Sequence, residues 1–169
     1  MEERCFLIDC GEGTQVQLRK AKARFSKINH IFISHLHGDH CFGLPGLIAS
    51  FRLLGRETPL HIYAPKGIKE MLETIFRITE THRGFEVVYH ELEIKKSEKI
   101  YEDHRVEVFT IPLNHRIYCN GYLFREKPKE RHLNMAEISK YPEIETCDYH
   151  NLKLGKDFVL SDGYILKNE

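Results

Sequence analysis

The sequence predicts an α/β layered fold, and three observations carry that prediction. Strand-like and helix-like segments alternate from residue 5 to residue 125, the pattern of helices layered on a sheet. The unbroken apolar run Ile31-Phe32-Ile33 reads as a strand buried on both faces, as in a parallel sheet. Two histidine-bearing loops, at residues 34–40 and 112–115, follow the C-terminal ends of predicted strands, where α/β sheets place their ligand sites.

Taken in order, Cys5 to Asp9 is a strand that starts with no lead-in, and Gly11-Glu12-Gly13 makes a tight turn. Thr14 is a candidate N-cap for a helix running to about Ala23. Ile28 to Ser34 is the second strand. Leu44 to Leu54 follows as a helix, because Leu44, Leu47, Ile48, Phe51 and Leu54 fall at helical spacing and Pro45 suits a first turn. Pro59 to Tyr63 is a strand. Gly67 to about Thr79 is an amphipathic helix whose stripe, Ile68, Met71, Leu72, Ile75 and Ile78, reads as core. Phe85 to His90 is a strand, and Ile94 to Glu102 a short strand with a turn. Arg105 to Ile111 alternates and is paired with Gly121 to Arg125. Beyond Glu126 the periodicity weakens and charges of both signs mix. Asp157 to Leu160 and Tyr164 to Leu166 flank Ser161-Asp162-Gly163, a strong hairpin signal. The organisation is therefore a core over residues 1–125 and an arm over residues 126–169 that ends in a β-hairpin.

Composition narrows the class little. At 169 residues, 41% hydrophobic and 30% charged, this is an ordinary globular chain with zero formal net charge. Overall charge therefore singles out no partner, but its distribution is uneven. No acid occurs between Glu12 and Asp39, while Arg19, Lys20, Lys22, Arg24 and Lys27 all do. That run reads equally as a phosphate-binding stripe or as a solvated helix face. Five scattered cysteines without a Cys-x-x-Cys pair indicate reduced thiols and a cytoplasmic setting, with Cys41 a small buried thiol. No apolar run is long enough to span a membrane.

The stretch Ser34-His35-Leu36-His37-Gly38-Asp39-His40 carries the chemistry. Three imidazoles and a carboxylate within six residues are ligands that zinc and similar divalent metals take. Extended spacing puts His35 and His37 on one side of the chain, and Gly38 permits a sharp bend. Asp39 and His40 then point in different directions, so one loop can offer two ligands to each of two neighbouring metals. A lone histidine is usually an ordinary core or loop residue; His-x-His-x-Asp-His directly after a buried strand is not.

Ser34 to His40 resembles the metal-binding signature of the metallo-β-lactamase fold, an αββα layering. Three further segments resemble the ribonuclease Z family, endonucleases that trim tRNA 3′ ends: Asp9-Cys10-Gly11-Glu12-Gly13-Thr14-Gln15, then His40-Cys41-Phe42-Gly43-Leu44-Pro45-Gly46-Leu47, and Asn114-His115-Arg116 followed by Gly121-Tyr122. The resemblance implies that His35, His37 and His115 bind a first zinc, and that Asp39 and His40 bind a second. It implies that Asp39 also acts as general base on the attacking water. Asp9 becomes a candidate for orienting a ligand histidine, against the plainer reading that it caps its own turn. Two zinc ions suit a phosphodiester, because they activate water and stabilise charge on the attacked phosphate. The implied substrate is precursor tRNA, with the arm as its grip and Arg19, Lys20, Lys22, Arg24 and Lys27 as candidate RNA contacts. The implied assembly is a homodimer.

The chain departs from the family pattern at both ends. An initial hairpin and the whole second half are missing, and with them further ligands of the second zinc. Asp148, Asp157, Asp162, His132 and His150 lie in the arm without the family's context. The expectation is an N-terminal half plus arm with one complete metal site, one incomplete site and slight or no turnover. A further expectation is that loss of the second half exposes the sheet's inner face and promotes self-association. The alternatives are another hydrolase of the same fold, such as a lactonase or thioesterase, or a non-catalytic metal- or tRNA-binding module.

Overall fold

Four short apolar runs pair in chain order as a parallel sheet: β1 (Cys5–Ile8), β2 (Ile28–Phe32), β3 (Leu60–Pro65) and β4 (Val87–Leu92). They belong to a computed structural model that describes residues 5–82 and 84–168; residues 1–4 of the expected core and residue 169 of the expected arm lie outside those. The described chain clusters into two units, Met1–Glu102 with Glu107–Arg125, and Asp103–Val106 with Glu126–Glu169.

In the first unit the parallel strands are joined by α1 (Thr14–Lys20), a 3-10 turn (Phe25–Lys27), α2 (Gly38–Cys41), α3 (Leu44–Leu53) and α4 (Ile68–Ile78). Side chains alternate across a strand, so β2 sends Ile31 to one face and His30 and Phe32 to the other. The Ile31 face meets the helices. Ile31, Ile62 and Ala64 are fully buried with Leu44, Leu47, Ile48 and Phe51 of α3 and Ile68 and Leu72 of α4. The predicted α4 stripe is rotated slightly: Phe76 is buried, whereas Ile78 is exposed in the last turn. Leu54 is likewise exposed, because α3 ends at Leu53. Thr14 does not cap α1. Gly13 occupies the N-cap with a left-handed φ of 74° and no side-chain cap bond.

The opposite face of the sheet is aromatic. β5 (Lys99–Glu102), β6 (Val106–Pro112) and β7 (Asn120–Glu126) form a second sheet, with β5 and β6 antiparallel. Tyr101 of β5 meets Phe6 and His30 at centroid distances of 5.7 and 4.5 Å. Phe124 of β7 meets Phe6 at 5.1 Å and Phe32 at 5.3 Å. Phe32 stacks on Tyr63 at 4.6 Å, and Tyr63 on His90 at 4.1 Å. Phe32 and Tyr63 are 0% and 4% exposed. The second sheet thus covers the centre of the inner face, whereas Ile8, which pairs with Phe32 on that face, is 54% exposed, so the expected exposure is met only at the border.

Two backbones meet without side chains between them. The Cys10 N–H donates to the His40 carbonyl at 2.7 Å, and the Gly43 N–H donates to the Cys10 carbonyl at 2.8 Å. A Cβ on Gly11 would lie 2.1 Å from the Asp39 carbonyl oxygen, and one on Gly43 would lie 2.0 Å from the Gly11 carbonyl oxygen. Only glycine permits that approach.

The second unit holds two short helices, α5 (Met135–Ile138) and α6 (Tyr149–Lys153), and the hairpin of β8 (Phe158–Val159) and β9 (Ile165–Leu166). The sequence does not announce these helices, since four or five residues are too few to show a period. Asn134 caps α5 by accepting from the Glu137 N–H.

Two outcomes follow. Gly43→Ala must push the two backbones apart, so it should cost about 1–3 kcal/mol of stability in urea unfolding, as overpacking does; an unchanged midpoint would contradict the close approach. The second concerns pH. His61 and His90 lie in the aromatic layer, 3.1 Å apart between ring nitrogens, and burial holds both below the ordinary value of 6.5. Above 6.5 both are neutral, folded or unfolded; as pH falls through that value the unfolded chain takes up protons first and stability drops. Unfolding midpoints should therefore decline below about pH 6.5, and the His61→Gln/His90→Gln double variant should flatten that decline.

Candidate metal centre

The site is built where three strand ends meet. Beyond Phe32 the chain bends at Ser34, is extended again at His37, with φ −71° and ψ 149°, and turns into α2 at Gly38. Extended backbone brings His35 and His37 to one side, with ring centroids 4.8 Å apart. His115 comes from the loop between β6 and β7, and its ring lies 4.7 Å from His35 and 5.2 Å from His37. One ring nitrogen from each of these three residues falls within 4.8 Å of the other two. His35 is buried, His37 half-buried and His115 exposed, so the cluster opens to solvent on one side.

That donor set fits a divalent ion. Three imidazoles converging on one point with an open side is the arrangement catalytic zinc takes, with nitrogens at about 2.0–2.1 Å from the metal. Burial, and then the rings of His40, His115 and His37, hold His35 below its ordinary pKa, while Asp9 pulls the other way. The neutral form is the one that ligates.

Asp39 and His40 lie alongside rather than within the trio. Asp39 Oδ2 is 3.4 Å from His40 Nε2, and the Asp39 side chain is 78% exposed. The His40 ring centroid is 4.0 Å from that of His35. The donor atoms of Asp39 and His40 thus lie beside the trio. Asp148 and Asp157 are engaged locally in the second unit, Asp148 accepting from the Glu145 N–H and Asp157 pairing with Lys167 at 2.7 Å. His150 lies 4.0 Å from Glu130.

Asp9 does not cap its own turn. It adopts a left-handed φ of 57°, which aspartate tolerates better than most residues. Its Oδ1 accepts from the Ser34 N–H at 2.7 Å; its Oδ2 accepts from the Ser34 hydroxyl at 3.0 Å and lies 2.8 Å from His40 Nδ1. The register explains the reach: Ile8 pairs with Phe32, so the residues following each strand end lie side by side. The motif alone assigns Ser34 no role, and this parallel register is the signal that finds one.

Two thiols beside the loop, Cys10 and Cys41, are buried. Burial pushes Cys10 up to about 12 and Cys41 up to about 11. The Cys41 thiol donates to the His37 carbonyl. The basic residues Arg19, Lys20, Lys22, Arg24 and Lys27 are all exposed, but they do not share one helix face. Helix α1 ends at Lys20; Lys22 follows with φ 53°, Arg24 precedes the 3-10 turn and Lys27 ends it.

The chain is similar to known proteins in sequence and fold. The sequence matches the beta-lactamase superfamily domain over residues 4–136. It is 45% identical to Ribonuclease Z of Bacteroides fragilis over 170 residues, covering 99% of this chain and 55% of that protein. It is 47% identical to Ribonuclease Z of Bacteroides thetaiotaomicron, over 99% of this chain and 53% of that protein. The chain therefore spans about half the length of these curated relatives. The crystal structure of human tRNase Z, short form, superposes with a TM-score of 0.69 at 34% identity, over 76% of this chain and 57% of that one. The resemblance drawn from the four motifs is borne out. This chain belongs to the beta-lactamase superfamily, and over nearly its whole length it is similar to ribonuclease Z.

Proposed function

We propose that this chain carries the metal-binding half of a zinc-dependent endoribonuclease that removes the 3′ trailer from precursor tRNA. The observation that carries the reading is the convergence of His35, His37 and His115 within 4.8 Å, in a chain this similar to ribonuclease Z. In this reading His35, His37 and His115 hold one zinc. Asp39 and His40 contribute to a second, which these two donors leave incomplete. A bound zinc supplies a Lewis acid for a phosphate oxygen and lowers the pKa of water.

The chain's own residues do the rest. The exposed carboxylate of Asp39 takes the proton of the attacking water. The water oxygen bonds to phosphorus as the ester P–O bond breaks, and the departing oxygen takes up a proton from solvent to become a hydroxyl, so one strand becomes two. Asp9 holds His40 so that its Nε2 faces Asp39.

Phosphate binding falls to the exposed run Arg19, Lys20, Lys22, Arg24 and Lys27, and to the second unit as a tRNA grip. In the second unit Lys129, Lys140 and Lys167 are each taken up by an acid at 2.7–2.8 Å. Five free cysteines suit a cytoplasmic setting, and a homodimer follows from the family resemblance. Among the described residues, no helix is long and apolar enough to cross a membrane.

Two experiments test this reading. In the intact protein with added zinc, precursor tRNA should be cleaved and His37→Ala should abolish cleavage; retained cleavage in that variant would overturn the site assignment. Replacing Arg19, Lys20 and Lys22 with alanine should weaken tRNA binding and flatten the plot of log K against log salt, by about 0.7–0.9 in slope for each phosphate no longer neutralised. An unchanged slope would remove the run from the RNA interface.

A further inference from the structure

We propose that the Ser34 hydroxyl is a positioning group that joins the two metal subsites, relaying the Asp9 carboxylate to His35 while the same carboxylate holds His40. The inference rests on the metal reading above and adds a residue to which that reading gives no role.

The hydrogen bonds around Ser34 Oγ leave one consistent arrangement. Oγ lies 3.0 Å from Asp9 Oδ2, 3.0 Å from His35 Nδ1 and 3.3 Å from His40 Nδ1. An ionised carboxylate only accepts, so the single hydroxyl proton goes to Asp9. With that proton spent, Oγ can only accept from His35, and His35 therefore carries its proton on Nδ1. His40 Nδ1 is 2.8 Å from the same Asp9 Oδ2 and donates there, leaving its 3.3 Å approach to Oγ as a weaker second interaction. Both rings are thus fixed in the tautomer whose Nε2 is free.

The two rings serve different subsites. His35 belongs to the imidazole trio, whereas the free Nε2 of His40 lies 3.4 Å from Asp39. One carboxylate therefore sets the orientation of a ligand in each, directly for His40 and through one hydroxyl for His35. The Ser34 N–H bond to Asp9 Oδ1 at 2.7 Å keeps the relay short and rigid. Removing the hydroxyl leaves that backbone bond in place but frees His35 to rotate or to change tautomer. Partners of this kind, one bond beyond a ligand, typically change metal affinity by about 10–100-fold when removed.

The test uses the intact protein loaded with cobalt(II), whose visible absorption reports ligand type and geometry, and a chelator competition for affinity. Ser34→Ala should lower cobalt affinity by about 10–100-fold and alter the visible bands, with far-UV circular dichroism unchanged. Ser34→Thr, which restores a hydroxyl, should recover affinity and spectrum. In a double-mutant cycle with Asp9→Asn, the effects should be strongly non-additive, because both changes cut the same relay. Where Ser34→Ala fails to fold, Ser34→Cys, a weak hydrogen-bonding partner, carries the same expectation. A folded Ser34→Ala with wild-type affinity and bands would overturn the inference, as would a folded Ser34→Thr that behaves like Ser34→Ala. Failure of the wild type to bind cobalt would overturn the metal reading and the relay with it.

Discussion

The arrangement depends on the Asp9 carboxylate. A charged group at the end of one strand reaches across a parallel pair to the end of the next. There it satisfies a backbone amide, a hydroxyl and an imidazole together. Such charge-assisted bonds are shorter and stronger than neutral ones. The left-handed turn at Asp9 directs the side chain inward, and the following Cys10-Gly11 backbone then runs directly against the ligand loop. Chemistry and close packing therefore share the same few residues.

The sheet explains why this works at only one end of the molecule. All four strands of the first sheet run the same way, so their C-terminal ends lie along one edge. Loops leaving that edge are neighbours however far apart they are in sequence. Helix α3 is anchored by Leu44, Leu47 and Phe51 in the core, and it fixes the far side of the ligand loop through Gly43. His115 arrives from the other sheet. Its loop is tied back where the Asn120 N–H donates to the Ser34 carbonyl at 3.0 Å and the Tyr122 hydroxyl donates to the Ile33 carbonyl at 2.7 Å.

Much of this is legible in the sequence, for reasons that differ by residue. The parallel sheet announces itself through Ile31-Phe32-Ile33, which needs two buried faces. The histidine-rich loop of residues 34–40 stands out through composition alone. The place of His115 after a strand end marks it as a candidate, but its pairing with His35 and His37 comes only from family resemblance, because nothing local connects residue 115 to residue 35. Ser34 escapes a reading of the sequence because serine before a histidine has no period and no compositional signal; its role exists only in the strand register. His30, His61 and His90 show the converse. They are as rich in imidazole as the ligand loop, yet they belong to an aromatic layer between sheets. His30 stacks on His61 at 4.9 Å and His90 on Tyr63 at 4.1 Å. Alternation along β2 and β3 contains that information, but only once both faces are known to be covered. The short helices α5 and α6 fall below the length at which periodicity can be read.

Strand β1 stands at the border of its sheet, with β2 as its one neighbour there among the described residues. Since Asp9 directly follows this strand, transient peeling of Cys5–Ile8 would loosen His35 and His40 in the same instant. One carboxylate at a strand end thus couples the settings of two imidazoles that lie side by side.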